Sequence, residues 1–251
     1  MFEIIYILWL RQIKRHFRSK SRLVGSLGQP LLFLIALGFG LGPMFQQAGA
    51  GNYLDFIAPG IIAMGILFTS IFNGFELIWD KQFGFMKETF VAPVPRYQIL
   101  LGKTLGGATV ATIQGILILI LTLIVGFIIP DLSVLPLALI FMFLIAIFYT
   151  LVGITIASLL EDLQGFQLIM NFLVMPTFFL SGAIFPLENL NGILKLLVSV
   201  NPLSYGIDGM RSVLINQPSI FGLSFDLILL FSLSIVILGV GTYLFNKIQI
   251  N

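Results

Sequence analysis

Six long apolar runs constrain the fold of this chain more than any other feature of its sequence. A helix needs about 20 apolar residues to cross the hydrocarbon core of a bilayer, and six stretches meet that length: 24–45, 55–78, 104–129, 135–160, 166–185 and 221–245. Charged residues make up only 10% of the chain, against about 25% in soluble domains. The sequence therefore predicts an all-α integral membrane protein, with residues 1–251 forming a single transmembrane domain of six spans.

The basic residues are segregated along the chain, and this predicts its orientation. Of the thirteen Lys and Arg residues, six precede the first run, four lie in the segment 79–103, and Lys247 follows the last run. An even number of spans places these on one side of the membrane and Lys195 and Arg211 on the other. Because basic residues are retained in the cytoplasm, both termini and segment 79–103 are predicted to be cytoplasmic.

The first 22 residues predict an amphipathic helix that lies on the membrane surface. Basic residues recur at steps of three and four along one face: Arg11, Lys14, Arg15, Arg18 and Arg22. Apolar residues follow another face: Phe2, Ile5, Trp9, Ile13 and Phe17. Such a helix lies in the headgroup layer with its cations near anionic lipid. The alternative is a plain positive flank of the first span, and the two are compatible.

Segment 79–103 is the one long polar interruption between two very apolar runs. At helical spacing its apolar residues fall on one side, namely Phe83, Met86 and Phe90. Its other side is polar: Asp80, Lys81, Gly84, Lys87 and Glu88. This is the pattern of a short amphipathic helix, and Pro93 and Pro95 would end it. We expect this segment to contact another protein.

Glu76, near the predicted cytoplasmic end of the second span, is the strongest candidate for a functional buried charge. An ionised side chain within the membrane is costly unless it is paired or hydrated. The alternative is an interfacial carboxylate that reaches water or a nearby lysine.

The outer segment, residues 187–217, predicts two short helices that dip into the outer leaflet and return. The first follows from apolar residues at helical spacing: Leu190, Ile193, Leu194, Leu197 and Val198. Asn201 before Pro202 is a good start for the second, and Asp208 and Arg211 are three residues apart, where they can pair. The alternative is a plain amphipathic loop on the outer surface.

Several kinds of chemistry have no motif in this chain. The sequence contains neither a GxxxxGK[ST] phosphate loop nor a GxSxG elbow, and one histidine, His16, cannot make HExxH. With no cysteine and few grouped carboxylates, metal or catalytic sites are not indicated. The patterns do not favour an enzyme or a nucleic-acid-binding protein, and energy for any transport would come from another subunit.

Two motifs resemble the ATP-binding-cassette type-2 permeases, most closely the daunorubicin-resistance and nodulation-type exporters. The stretch GFELIWDKQFGFMKETFVAPVPRYQILLGKTLGG is similar to the first cytoplasmic loop of that family, and NPLSYGIDGMR is similar to its closing signature. The two motifs occur in the family's order, and the span count agrees along the whole chain.

The resemblance implies a particular assembly in the plasma membrane of a prokaryote. It implies six spans per subunit, a dimer with a second copy of this chain, and two copies of a separate ATPase subunit that binds ATP and Mg²⁺. The first helix would touch the ATPase from the side. The residues implied in ATPase coupling are Asp80, Lys81, Phe83, Met86, Lys87, Glu88, Phe90 and Arg96. Those implied in an outer gate are Asn201, Pro202, Tyr205, Asp208 and Arg211.

The sequence and the resemblance together predict the permease subunit of an ATP-driven exporter. Its 25 phenylalanines suit an amphipathic or lipid-like cargo. A membrane-embedded lipid-modifying enzyme and an ATP-independent carrier are the alternatives, and a neighbouring gene for an ATPase would separate them.

Overall fold

The structure, a computed structural model, describes residues 2–47, 51–83, 94–160, 162–187 and 192–247. All the regular structure in these ranges is helical, as predicted. The α-helices are α1 (Phe2–Arg18), α2 (Lys20–Gln47), α3 (Tyr53–Gln82), α4 (Arg96–Val125), α5 (Leu135–Leu159), α6 (Leu163–Ile169), α7 (Met175–Phe179), α8 (Ile193–Val200), α9 (Pro202–Ile215) and α10 (Leu223–Asn246). A 3-10 turn, Leu132–Val134, leads into α5, and a π-helical stretch, Met170–Val174, joins α6 to α7.

Five helical stretches within the described ranges are long and apolar enough to cross a membrane. They are Val24–Gln47, Tyr53–Gln82, Arg96–Val125, Leu132–Leu159 and Leu223–Asn246. Each coincides with one of the apolar runs in the sequence, although α3 and α4 extend several residues beyond their runs. The chain is thus a multi-pass helical membrane protein.

Local signals explain where the two longest helices begin and end. The Asn52 side chain accepts a hydrogen bond from the Leu54 backbone N–H and so caps the start of α3. Pro95, which has no N–H to leave unpaired, stands immediately before α4. Gly126 has a φ of 120°, which favours glycine, and the helix ends there.

Helix α3 lies at the centre of the bundle and packs against α2, α4, α5 and α9. Its contact with α5 depends on glycine, because a Cβ on Gly153 would lie 2.8 Å from the Ile71 carbonyl oxygen. A Cβ on Gly74 would in turn collide with the backbone of Gly153. Small residues allow this close backbone approach between membrane helices.

The fifth predicted span, residues 166–185, differs from the structure. The apolar helical stretch here is Leu163–Phe179, and its 17 residues reach only about 26 Å, short of the roughly 30 Å hydrocarbon core. The π-helical stretch interrupts it before Pro176, and the chain turns after Phe179. The count of six spans therefore stays a prediction.

Contacts at its two ends show the path of this shorter stretch. Leu160, just before it, bonds to Lys81 at the end of α3, whereas Gly182, just after it, shares a donor with Phe56 at the start of α3. The stretch therefore runs along the length of α3. We refer to the end of the bundle at Lys81 as the charged end and to the end at Phe56 as the far end.

The two helices beside segment 79–103 are longer than predicted. Helix α3 continues to Gln82, so Asp80 and Lys81 belong to its last turns, and α4 begins at Arg96, so Lys103 is helical. The centre of the predicted amphipathic helix lies outside the described residues, and this includes Met86, Lys87, Glu88 and Phe90.

Candidate functional site

A buried carboxylate, Asp80, lies at the centre of the charged end. The ammonium group of Lys103 on α4 donates to Asp80 Oδ2 at 2.5 Å. From α1, the guanidinium groups of Arg15 and Arg11 lie 3.7 and 3.8 Å from Asp80 Oδ1. Three helices therefore meet at one carboxylate.

Glu76 lies one helical turn before Asp80 and belongs to the same group. Its Oε1 is 3.6 Å from Arg15 Nε, and the residue is buried. Glu76 and Asp80 are four residues apart on α3, as are Arg11 and Arg15 on α1, so each pair lies on one helix face. The five residues of this Asp80 cluster are Arg11, Arg15, Glu76, Asp80 and Lys103.

The pairs in the Asp80 cluster differ in strength because they differ in exposure. The Arg11 and Arg15 side chains are 44% and 34% exposed, so water screens their ion pairs and each contributes about 0–1 kcal/mol. Lys103 and Asp80 are 7% and 8% exposed. Removing one partner of such a buried pair costs about 3–5 kcal/mol. The link between α3 and α4 is therefore the dominant one.

Lys81 joins the end of α3 to the end of α5. Its ammonium group donates to the carbonyl oxygens of Ala157, Ser158 and Leu160 at 3.0, 2.7 and 3.2 Å. The last carbonyls of a helix have no partner within that helix and carry the negative end of its dipole. Lys81 donates to these carbonyls and places a positive charge at the negative end of the dipole, and it thereby joins α3 to α5.

Arg96 makes the corresponding link from the start of α4 to the end of α10. Its guanidinium group donates to the carbonyl oxygens of Phe245 and Asn246 at 3.3 and 2.7 Å. Lys81 and Arg96 lie on either side of residues 84–93, the part of segment 79–103 that is outside the described residues. The segment is therefore fixed at one end to α5 and at the other to α10.

Helix α1 lies against α4 on a surface made by glycine. A Cβ on Gly102 would lie 2.8 Å from Leu8 Cβ, and one on Gly106 would lie 2.7 Å from Gln12 Cβ. Trp9 Nε1 also donates to Thr109 Oγ1 at 3.0 Å. This packing fixes the orientation of α1 relative to α4.

The opposite side of α1 forms a basic groove. Its lining residues are Ile7, Leu10, Arg11, Lys14, Arg15 and Arg18. The predicted helix over the first 22 residues ends earlier in the structure, because α1 ends at Arg18 and Arg22 belongs to α2.

Of the predicted apolar face, Ile5, Trp9 and Ile13 are half-buried and Phe17 is exposed. The buried side chains of α1 are instead Leu8 and His16, which the prediction did not include.

Two aromatic side chains project from the last turns of α3. The rings of Trp79 and Phe83 lie 5.1 Å apart, and both are substantially exposed. Phe83 is the one member of the predicted apolar side, Phe83, Met86 and Phe90, that the structure describes. It is exposed and placed beside the Asp80 cluster.

At the far end, the closing motif forms α9 with the start that its sequence predicts. Asn201 Oδ1 accepts from the Leu203 N–H at 3.0 Å, and Pro202 occupies the first turn. The amide group of Asn201 also donates to the Thr177 carbonyl at 2.6 Å, which joins α9 to α7.

The charged residues of α9 bind backbone groups from distant parts of the chain. Arg211 donates to the carbonyls of Phe56 and Gly182 at 3.3 and 3.0 Å. Asp208 Oδ2 accepts from the N–H groups of Ile220 and Phe221 at 2.8 and 3.1 Å. These contacts fix the turns around the far end.

Tyr205, also on α9, donates to the Ser199 carbonyl at 2.6 Å and so connects α9 to α8. Burial, followed by the nearby Asp226 carboxyl, raises the pKa of the Tyr205 hydroxyl. It therefore remains a neutral donor at physiological pH.

Sequence reasoning missed Lys103 as a site residue and the role of Lys81 and Arg96 as helix caps. The matched spacing of Glu76 with Asp80 and of Arg11 with Arg15 was a usable signal for pairing between α1 and α3. The partner carbonyls of Lys81 and Arg96 carry no such signal, because any residue type supplies a carbonyl.

Apolar helices of spanning length, with a charged end formed from several of them, define this chain as a multi-pass membrane protein. Its residues 3–215 match the family model described as ABC-2 type transporter. The chain therefore belongs to the ABC-2 type transporter family, and the resemblance in its two motifs is confirmed.

The chain is similar to two groups of known proteins along most of its length. It is 29% identical to the transport permease ycf38 of Cyanophora paradoxa, over 97% of this chain and 88% of the relative. It is 30% identical to ycf38 of Pyropia yezoensis, over 84% of this chain and 74% of the relative. With nodulation protein J of Rhizobium leguminosarum bv. trifolii it shares 27% identity, over 85% and 79% of the two chains.

Proposed function

We propose that this chain is the membrane subunit of an ATP-driven exporter that moves an amphipathic or lipid-like molecule across a prokaryotic plasma membrane. Two copies of the chain would pair and bind two copies of a separate ATPase subunit, which would hold the ATP and Mg²⁺. The observation that carries the proposal is the double attachment of segment 79–103, through Lys81 to α5 and through Arg96 to α10.

This attachment gives a physical route from a partner subunit to the bundle. A force on segment 79–103 acts on α3 and α4 through the backbone. The same force acts on α5 through the Lys81 side chain and on α10 through the Arg96 side chain. Each of these side chains donates hydrogen bonds to the last carbonyls of the helix that it caps. The buried Lys103–Asp80 pair makes α3 and α4 move together. One small segment can thus displace four helices.

The ATPase would approach the cytoplasmic side, which in this proposal is the charged end. The exposed Phe83 offers apolar area for burial in a partner, and Met86 and Phe90 would continue it. The charges of Lys87 and Glu88 would set the register. The basic groove of α1 lies beside this surface and would touch either the same subunit or anionic lipid. The far end, with α8 and α9, would form the outer gate.

Mutation of the proposed contact surface tests the function. The chain is purified together with the ATPase encoded beside its gene, with Phe83, Met86 and Phe90 changed together to Asp. We expect the chain to insert normally but to lose the ATPase on purification and to lose its effect on the rate of ATP hydrolysis. The matched control changes the same three residues to Leu, which keeps an apolar surface and should retain both.

The proposal fails if the triple Asp variant still co-purifies with the ATPase and leaves hydrolysis unchanged. A second arm places the chain alone in vesicles without ATP. Cargo flux there would instead support an ATP-independent carrier.

A further inference from the structure

A cavity of about 520 Å³ lies beside the Asp80 cluster, between α1, α2 and α3. Its size is within the range of small-molecule sites, roughly 300–1,000 Å³. The coupling route described above makes no use of this space. Its walls divide into a polar part and an aromatic part.

The polar part of the cavity contains one cation and one anion side by side. Arg15 and Glu76 both line it, with Nε and Oε1 3.6 Å apart. Other hydrogen-bonding side chains adjoin this pair: Gln12, His16, Ser26, Gln29, Thr69 and Asn73. The charges of Arg15 and Glu76 are opposite in sign and balance each other.

The remaining wall is apolar and largely aromatic. Its members from α3 are Met64, Phe68, Phe72, Phe75 and Trp79. The ring centroids of Phe72 and Phe75 are 6.3 Å apart, and those of Phe75 and Trp79 are 6.1 Å apart. Glu76 and these rings line the same cavity, which gives it a carboxylate as well as aromatic rings. A cation at this place would be attracted both to the carboxylate and to the faces of the aromatic rings.

We propose that this cavity binds the head and upper chain of a membrane lipid whose head is zwitterionic, carrying a phosphate and an ammonium group. The phosphate pairs with Arg15, and the ammonium pairs with Glu76 against the aromatic wall. A zwitterion leaves the site neutral, whereas a purely anionic head would leave Glu76 beside a second negative charge. The acyl chains continue along the apolar wall.

The exposure of the lining residues places the opening on the side of the cavity where α2 and α3 meet the outside. Phe72 and Trp79 are 50% and 42% exposed although they line the cavity. On α2, Gly25 and Gln29 are also exposed. A lipid can therefore enter sideways between α2 and α3, past the exposed rings of Phe72 and Trp79.

The reporter for binding is Trp79, which lines the cavity. Trp9, the other tryptophan of the chain, is not among the lining residues and bonds to Thr109 instead. A Trp9→Phe variant leaves Trp79 as the single tryptophan. The purified chain in an uncharged maltoside detergent is titrated with phosphatidylethanolamine brominated in its acyl chains, and quenching of Trp79 is measured. Phosphatidylglycerol and diacylglycerol with the same brominated chains are the comparison probes.

We expect the zwitterionic lipid to quench Trp79 saturably, at a mole fraction at least about fivefold lower than either comparison lipid needs. A fivefold difference is the effect expected of one charge-assisted contact. Gly25→Leu fills the cavity and should abolish this preference. Gly28→Leu is the matched control: a Cβ at either glycine meets nothing within 4 Å, but Gly28 does not line the cavity. Glu76→Gln should turn the preference toward phosphatidylglycerol, since Arg15 remains.

Equal quenching by all three lipids, or a preference for the zwitterion that survives Gly25→Leu, overturns the proposal. A preference of the unsubstituted site for the anionic lipid overturns the assignment of the head. Unbrominated phosphatidylethanolamine and its soluble head, glycerophosphoethanolamine, are then tested as competitors. If only the lipid displaces the brominated probe, the bilayer is the source of the ligand. If both displace it, the head alone is recognised. The chain is measured without an ATPase, so the result is independent of the proposed function.

Discussion

Asp80 is the residue on which the charged end depends. Side chains of α1 and α4 both bind this carboxylate of α3, and its partner Lys103 is buried with it. Neutralising Asp80 would leave the buried Lys103 ammonium without the carboxylate to which it donates. The free-energy cost of a buried charge without a partner is much larger than the net stabilisation that the ion pair provides.

We therefore predict that Asp80→Asn lowers the free energy of unfolding by about 3–5 kcal/mol, seen as a lower melting temperature in detergent. Combining it with Lys103→Met should recover most of the loss, because the second change removes the unpaired cation. Glu3→Gln, an exposed carboxylate on α1, serves as the control and should change little. A double variant no more stable than Asp80→Asn alone would contradict this account.

At the scale of elements, the helix caps made by Lys81 and Arg96 attach segment 79–103 to α5 and α10. Each side chain bonds to terminal carbonyls of a helix that is distant in sequence. The chain has no cysteine, so a variant with two introduced cysteines carries a spin label at each. Leu159→Cys reports on the end of α5 and Lys247→Cys on the end of α10.

With the partner ATPase bound, we predict that ATP changes the distance between labels at 159 and 247. Lys81→Met and Arg96→Gln should each reduce the change to a small fraction while hydrolysis continues, because hydrogen bonds to charged groups contribute about 1.5–3 kcal/mol. Lys195→Met, on exposed α8, removes a lysine at a site with no such cap and should leave the change intact. An undiminished distance change in both variants would exclude the caps as the route.

The glycine surface under α1 gives another prediction at this scale. Gly106→Leu would force α1 away from α4, since even a Cβ there comes within 2.7 Å of Gln12. Overpacking of this kind costs about 1–3 kcal/mol, and we expect a red shift of Trp9 fluorescence in a Trp79→Phe background. Gly42→Leu, where a Cβ meets open space, is the control. Unchanged Trp9 emission in the Gly106 variant would mean that α1 does not depend on this surface.

The sequence predicts the elements that depend on composition better than those that depend on tertiary packing. The apolar runs identify α2, α3, α4, α5 and α10 because burial in lipid is a property of composition. The helix boundaries were missed where polar residues continue a helix, as at Asp80, Lys81 and Lys103. Those positions are helical because their charges find partners on other helices, and that pairing depends on tertiary packing. The basic face of α1 needed only its own spacing and was predicted.

The arrangement of the whole molecule depends on whether Leu163–Phe179 crosses the membrane. It is short for a span, yet its flanking residues lie at opposite ends of α3, one near Lys81 and the other near Phe56. The ends of α5 and α10 both lie at the charged end, so the chain must return to the far end between them. From these contacts we propose that the stretch makes a sixth crossing, with the bilayer locally thinned around it.

We predict that Lys14 and Lys247 face one side of the membrane and that Lys195 faces the other. Each is changed singly to Cys in this cysteine-free chain, and intact cells are treated with a thiol reagent that cannot cross the membrane. Lys195→Cys should react in intact cells, whereas the other two should react only after permeabilisation, because the basic ends are retained inside. If Lys195 reacts from the same side as Lys14, the stretch before α8 does not cross; if it reacts from the same side as Lys247, the last helix does not cross. Reaction of Lys14→Cys and Lys247→Cys in intact cells would take away the assignment of the charged end to the cytoplasm, and with it the site at which an ATPase could bind.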